Sequence, residues 1–251
     1  MRDHSSIRLD CWASFALSCS KSLDWYEKHF AHCKIDQKIG EFSASYIYDA
    51  DAAKKIKALY PDIKIIVCLR NPVDRTYSQY LMFRDYLKKE ERPFEEAIQN
   101  EPELLARSKY AEFLKAYLEL FPRQNFLFLT LDEIVNEAQS TLKRVFQFLE
   151  VDASFVPADF MTNRKKASAS RSPLVSKTMG LFTKTMTGLG LSGVVLKLKE
   201  MGLKDTVLKM NSKNIIKEKL NPALRNELKK QFAEDIVRTA ELTGLDLSKW
   251  K

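Results

Sequence analysis

The sequence predicts an α/β fold, a parallel sheet with helices on both faces. Two observations carry this. The runs IKIIVCL at 63–69 and NFLFLTL at 125–131 have the length and the β-branched or aromatic content of strands buried on both faces. Between them lie segments with helical spacing, and two parallel strands need such a crossover. A chain of 251 residues is long enough to bury a full core. Its composition, 45% hydrophobic and 29% charged, excludes general disorder.

The elements follow in order. Residues 1–20 show no clean period and stand as an unassigned segment; their short apolar stretch is too short to span a bilayer, so no membrane anchor and a cytoplasmic location are expected. KSLDWYEKHFAHC reads as a short helix and QKIGEFSASYIY as a short strand entering a polar loop. Asp49 or Asp51 can cap a helix that ends near Tyr60-Pro61. After the first buried strand, a helix from about Val73 carries Tyr77, Tyr80, Leu81 and Arg84 on one side. Tyr110, Phe113, Leu114, Tyr117 and Phe121 stripe a longer helix, and Leu142, Val145, Phe146 and Leu149 line the one after the second strand. Residues 151–178 read as a loop, and 160–210 as a variable basic, glycine-containing insert. A last helix spans about 221–243, with Asn221 as cap, Pro222 in the first turn, a stripe of Leu224, Leu228, Phe232 and Ile236, and Gly244 as stop.

Charge is unevenly placed. The net charge is +8, yet residues 160–199 hold no acid and eight bases: Arg164, Lys165, Lys166, Arg171, Lys177, Lys184, Lys197 and Lys199. The rest of the chain is neutral, so the excess points to an anionic ligand or polymer meeting that stretch. The four cysteines form no dense framework and read as reduced thiols, Cys68 as a core thiol. His29, His32 and Cys33 are too crowded on one helix for a common metal geometry, and no metal is expected.

In an open parallel sheet, ligands bind beyond the carboxyl ends of strands, where loops lead into helix N-termini. Arg70 stands at such a place. The segment KIIVCLRNPVDRTYSQYLMF delivers a guanidinium as the strand ends, turns through Asn71-Pro72, and opens a helix whose unpaired N–H groups favour an anion. Ser78, one to two turns on, can add a hydroxyl donor, and the fork of an arginine matches a phosphate. The competing reading pairs Arg70 with a carboxylate such as Asp74 and leaves Ser78 facing solvent. The absence of GxxxxGK[ST] argues against a P-loop kinase.

The segment resembles the 3′-phosphate-binding motif of sulfotransferases that use 3′-phosphoadenosine 5′-phosphosulfate, above all heparan-sulfate-type and bacterial carbohydrate-type members. KSLDWYEKHF, GEFSASYIY, PDIKIIVCLRNP, YAEFLKAYLELFPRQNFLFLTLDEI and AEDIVRTAELTGLDLSKW also fall in the order of that family. The resemblance covers roughly 21–178 and 220–251, making 21–251 one sulfotransferase-like domain with a P-loop-NTPase-like sheet. It implies that Arg70 and Ser78 hold the donor's 3′-phosphate. It also implies that the basic loop Arg164, Lys165, Lys166, Ser168 and Arg171 closes over the nucleotide. Glu41 would face the acceptor sugar or serve as base, or else pair structurally with a Lys or Arg. The implied cosubstrate is 3′-phosphoadenosine 5′-phosphosulfate, with no metal, and the implied acceptor is a carbohydrate or small molecule.

The chain also departs from the family pattern. Family members open with a strand and a Gly-Thr-Thr-type loop whose Lys binds the 5′-phosphosulfate, and the general base of glycan-type members lies in the same region. Here the first glycine is Gly40, so the N-terminal strand and phosphate loop read as missing or replaced. Two functions are therefore expected to compete: sulfuryl transfer, and a nucleotide-binding or scaffold role without transfer.

Overall fold

The structure is a computed structural model that describes residues 23–34, 37–87, 89–157, 168–170, 185–186, 212–214 and 220–251. The chain divides into two compact units, residues 1–79, 93–155 and 222–251 in one and 80–92 and 156–221 in the other.

The first unit is built on two parallel strands, β1 (Ile65–Leu69) and β2 (Phe126–Thr130), in the register Ile65↔Phe126 to Leu69↔Thr130. The crossover between them contains the helices α3 (Pro72–Leu81), α4 (Phe94–Asn100), α5 (Pro102–Ala106) and α6 (Tyr110–Leu120). Before β1 come α1 (Leu23–Glu27) and α2 (Ala50–Leu59), the latter capped by Asp49, which accepts from the N–H groups of Asp51 and Ala52. After β2 come α7 (Leu131–Asn136), α8 (Ala138–Leu149) and the last helix, α9 (Pro222–Thr243). Gly244 ends α9 at φ 72, a left-handed conformation that glycine adopts without steric cost, and its N–H bonds the Ala240 carbonyl.

Helix α6 packs on both α2 and α9. Its Leu114 and Tyr117 join Phe121, Leu228, Phe232 and Ile236 in the core, as the helical stripes predict. Phe121, Phe126 and Phe128 continue that core onto the sheet through edge and stacked ring contacts. Asp235 of α9 accepts from the N–H groups of Tyr110 at 2.8 Å and Ala111 at 3.1 Å. A residue 125 positions away thus supplies the N-terminal cap that α6 lacks locally.

Three expectations are corrected. β1 is buried on one face only, with Ile66 and Cys68 exposed, so Cys68 is a surface thiol rather than a core one. Successive side chains of a strand point to opposite faces, and among the described residues only one face of β1 is covered. β2, by contrast, is buried almost throughout. No strand forms at 37–48 among the described residues; the segment is irregular up to a single 3-10 turn at Tyr46–Tyr48. Gly40 weakens any strand there, and Ser43 and Ser45 bond each other locally instead of joining a ladder. Finally, the expected loop at 151–178 contains a strand, β3 (Ser168–Ser170), paired antiparallel with β4 (Ser212–Asn214) in the second unit. Neither SAS nor SKN carries β-branched or aromatic residues, so this backbone pairing leaves no mark in the hydrophobic pattern.

Elsewhere in the second unit, Arg92 forks onto the buried Glu90 with two bonds of 2.8 Å. Those bonds hold the Glu90 carboxyl below the usual carboxylate range.

Candidate nucleotide site

β1 ends on the fully buried Leu69, and Arg70 follows at the carboxyl end of the strand. Its carbonyl is fixed by the Tyr110 hydroxyl, which donates at 2.8 Å. Burial pushes the Tyr110 phenol well above its ordinary value, against the nearby Arg75 charge, so it remains a neutral donor throughout the physiological range.

The next residue builds the helix start. Asn71 Oδ1 accepts from the N–H of Val73 at 3.0 Å and, more weakly, of Asp74 at 3.4 Å, while its carbonyl accepts from the Arg75 N–H at 2.8 Å. Pro72 has no N–H to offer. The helix therefore caps itself, and the expectation of unpaired N–H groups at its start is corrected.

Asp74, the carboxylate that could have paired with Arg70, is bonded instead to Arg225 of α9 at 2.6 Å. Among the described residues the Arg70 guanidinium has neither a hydrogen-bond nor an ion-pair partner, and the Ser78 hydroxyl has no hydrogen bond. Both residues are half-buried. Ser78 lies four residues beyond Asp74 and hence on the same helix face. At about 1.5 Å of rise per residue it stands about 9 Å along the axis from Pro72. Arg70, Asp74 and Ser78 thus succeed one another along the start of α3.

Arg75 is committed to the scaffold. It donates to Tyr48 Oη at 2.7 Å, Gln79 Oε1 at 2.9 Å and Ser108 Oγ at 3.1 Å. Ser108 is itself 2.6 Å from the buried Thr76. This network ties α3 to the residues before α6 without any carboxylate, so the positive charge of Arg75 is not cancelled locally. The carboxyl end of β2 is occupied by a capping box: Glu133 N–H bonds Thr130 Oγ1 at 3.1 Å, and Glu133 Oε2 accepts from Thr130 N–H at 2.7 Å.

Glu41 sits exposed in the irregular segment, near the Tyr26 hydroxyl. Burial and the Glu41 charge hold the Tyr26 phenol well above its ordinary value. Arg164, Lys165, Lys166 and Arg171 lie outside the described residues, and of Ser168 only the strand backbone is described. His32 Nε2 lies 3.7 Å from Cys33 Sγ, and no group of three metal-ligating side chains occurs among the described residues.

Residues 16–185 match the sulfotransferase domain. The chain belongs to the sulfotransferase domain family. Among its relatives are human carbohydrate sulfotransferase 15, 28% identical over 177 residues, which covers 54% of this chain and 32% of that protein. Human heparan sulfate glucosamine 3-O-sulfotransferase 6 is 27% identical over 175 residues, covering 64% of this chain and 48% of that protein. The chain therefore spans less than half the length of these curated relatives. A solved sulfotransferase from Alicyclobacillus acidocaldarius superposes with a TM-score of 0.64 at 23% identity, over 92% of this chain and 74% of that one, and so shares the α/β fold.

The sulfotransferase match includes Arg70, Ser78 and Glu41 but stops before α9, so Arg225 and Asp235 lie beyond it. Neither had a local signal in the sequence: each acts on a partner more than 120 positions away. Tyr110 was legible as a core residue but not as the anchor of the Arg70 carbonyl.

Proposed function

We propose that this chain binds 3′-phosphoadenosine 5′-phosphosulfate and transfers its sulfuryl group to a hydroxyl or amine of a carbohydrate or small acceptor. One observation supports it most: a half-buried arginine at the carboxyl end of a parallel strand whose nearest carboxylate in sequence is already bonded elsewhere. A phosphate suits the donor set of such an arginine. The Arg70 fork donates to two phosphate oxygens, Ser78 donates a further hydrogen bond, and the uncancelled charge of Arg75 adds a favourable field.

Holding the 3′-phosphate positions the other end of the nucleotide, and positioning is a large part of catalysis for a displacement of this kind. An acceptor oxygen or nitrogen attacks sulfur in line, and the bond from sulfur to the bridging phosphate oxygen breaks. 3′-Phosphoadenosine 5′-phosphate departs, and the acceptor proton passes to a base. Glu41 is the candidate base in this reading, and Arg164, Lys165, Lys166 and Arg171 are the candidate cover of the nucleotide.

A second reading is nucleotide binding without transfer. Incubation with donor labelled in the sulfuryl group and a panel of heparan and chondroitin oligosaccharides separates the two. Label transferred to an acceptor and lost in Arg70→Ala supports the enzyme. Donor bound without any transfer supports the binding protein.

A further inference from the structure

Arg225 bears on the same site from a different part of the chain. Asp74 is the third residue of α3, one turn before Ser78 on the same face. Arg70 is the residue just before the Asn71 cap, four positions ahead of Asp74. Along the chain a carboxylate at Asp74 therefore comes midway between the two residues that would hold an anion, four positions from each. Left alone it would do two harmful things. It would repel the anion, and it would offer Arg70 an intramolecular partner that is always present. Arg225 prevents both through a bond of 2.6 Å between Nη2 and Asp74 Oδ1, with both side chains about one-third exposed.

The remaining groups around α3 do not take over this role. Arg75 is directed to Tyr48, Gln79 and Ser108, and the Asn71 amide oxygen is used in capping. Arg225 itself is anchored at the start of α9, where Leu228, Phe232 and Ile236 are buried and Asp235 caps α6. The guanidinium is thus presented from a helix whose placement is fixed by the core rather than by the ligand.

We propose that Arg225 is a positioning residue of the nucleotide site: it sequesters the Asp74 carboxylate and so keeps Arg70 open for the 3′-phosphate. This rests on the reading of Arg70 and Ser78 as a phosphate clamp. The last helix, outside the segment that matches the family domain, then controls affinity for the donor.

The test uses the full chain and 3′-phosphoadenosine 5′-phosphate as probe, with affinity read by calorimetry. Arg225→Gln is expected to weaken binding about fivefold or more, the upper range for a partly exposed charge pair. Adding Asp74→Asn to Arg225→Gln is expected to restore affinity to within about twofold of the parent, because the carboxylate to be sequestered is gone. Arg225→Lys, which keeps the charge, is expected to retain most of the affinity even if the glutamine variant folds poorly. Unchanged binding in Arg225→Gln overturns the proposal. So does a loss that Asp74→Asn fails to repair, since Arg225 would then contact the anion itself. If the parent protein shows no affinity for the probe, or Arg70→Ala binds as the parent does, the phosphate-clamp reading fails instead. A ligand-free crystal structure of Arg225→Gln still decides the sequestration: Arg70 within about 4 Å of Asp74, the ion-pair limit, supports it, and an Arg70 still apart from Asp74 overturns it.

Discussion

Asp74 gives its carboxylate to Arg225, 151 positions away, and not to Arg70, four positions away. The expected alternative, an Arg70–Asp74 pair, is therefore not formed. An arginine paired with its neighbouring aspartate would be part of the scaffold, whereas an arginine whose neighbour is engaged elsewhere is available to a ligand. The scaffold role falls to Arg75, whose partners are a phenol, an amide and an alcohol.

Replacing Arg75 with Met removes three hydrogen bonds at once while leaving the 2.6 Å contact of Thr76 with Ser108. A loss of about 2–4 kcal/mol is expected, since each bond is worth about 1 kcal/mol net and the partners are left partly unsatisfied. Urea unfolding measures it. Arg75→Lys should recover little of the loss, because a single ammonium cannot reproduce the planar fork.

Asp235→Ala leaves the N–H groups of Tyr110 and Ala111 without their acceptor. The expected cost is about 1–2 kcal/mol, as for loss of an N-terminal cap. Asp235→Asn keeps an acceptor oxygen and should cost less. Thermal melting of the two variants side by side checks the order.

Tyr110→Phe removes the donor to the Arg70 carbonyl and should cost about 1 kcal/mol of stability. The phenol also sets a limit at high pH. Its folded value lies above the unfolded value of 10.0, so its contribution is fully present below pH 10 and is lost as pH rises beyond it. The stability difference between parent and Tyr110→Phe should therefore narrow above pH 10, as read from urea midpoints at rising pH.

Glu133 sets a limit at low pH. Burial tends to raise its pKa, but the hydrogen bonds from Arg144 and Thr130 outweigh that, and the net value lies below the ordinary 4.5. A lowered folded value means that its stabilisation is present above the unfolded pKa and is lost as pH falls through the folded one. Glu133→Gln should melt below the parent at pH 7, and the gap should close below about pH 4. Thr130→Ala, which breaks the other half of the capping box, should cost about 1 kcal/mol at neutral pH.

Local patterns in the sequence predicted the local structure well. The cap at Asp49, the stop at Gly244, the stripe through Leu114 and Tyr117 and the buried run of β2 each depend on residues within a few positions of one another. What depends on distant partners was not legible. Cys68 sits in the same kind of apolar run as Phe128, yet one is exposed and the other buried, because burial depends on which layer covers each face. The site divides the same way. Arg70 and Ser78 stand out as a motif, while the aspartate that tempted a local pairing is claimed by a helix that no nearby residue announces. The self-capping by Asn71 was readable in principle, since Asn before Pro is a preferred helix start.

The most direct test of the phosphate clamp compares calorimetric binding of 3′-phosphoadenosine 5′-phosphate and adenosine 5′-phosphate, which differ only in the 3′-phosphate, to the parent chain and to Arg70→Ala. The parent should prefer the 3′-phosphorylated nucleotide by roughly thirtyfold or more, the equivalent of about 2 kcal/mol from charge-assisted bonds, and Arg70→Ala should lose most of that preference. Equal affinity of the parent for both nucleotides, or an undiminished preference in Arg70→Ala, would contradict the account.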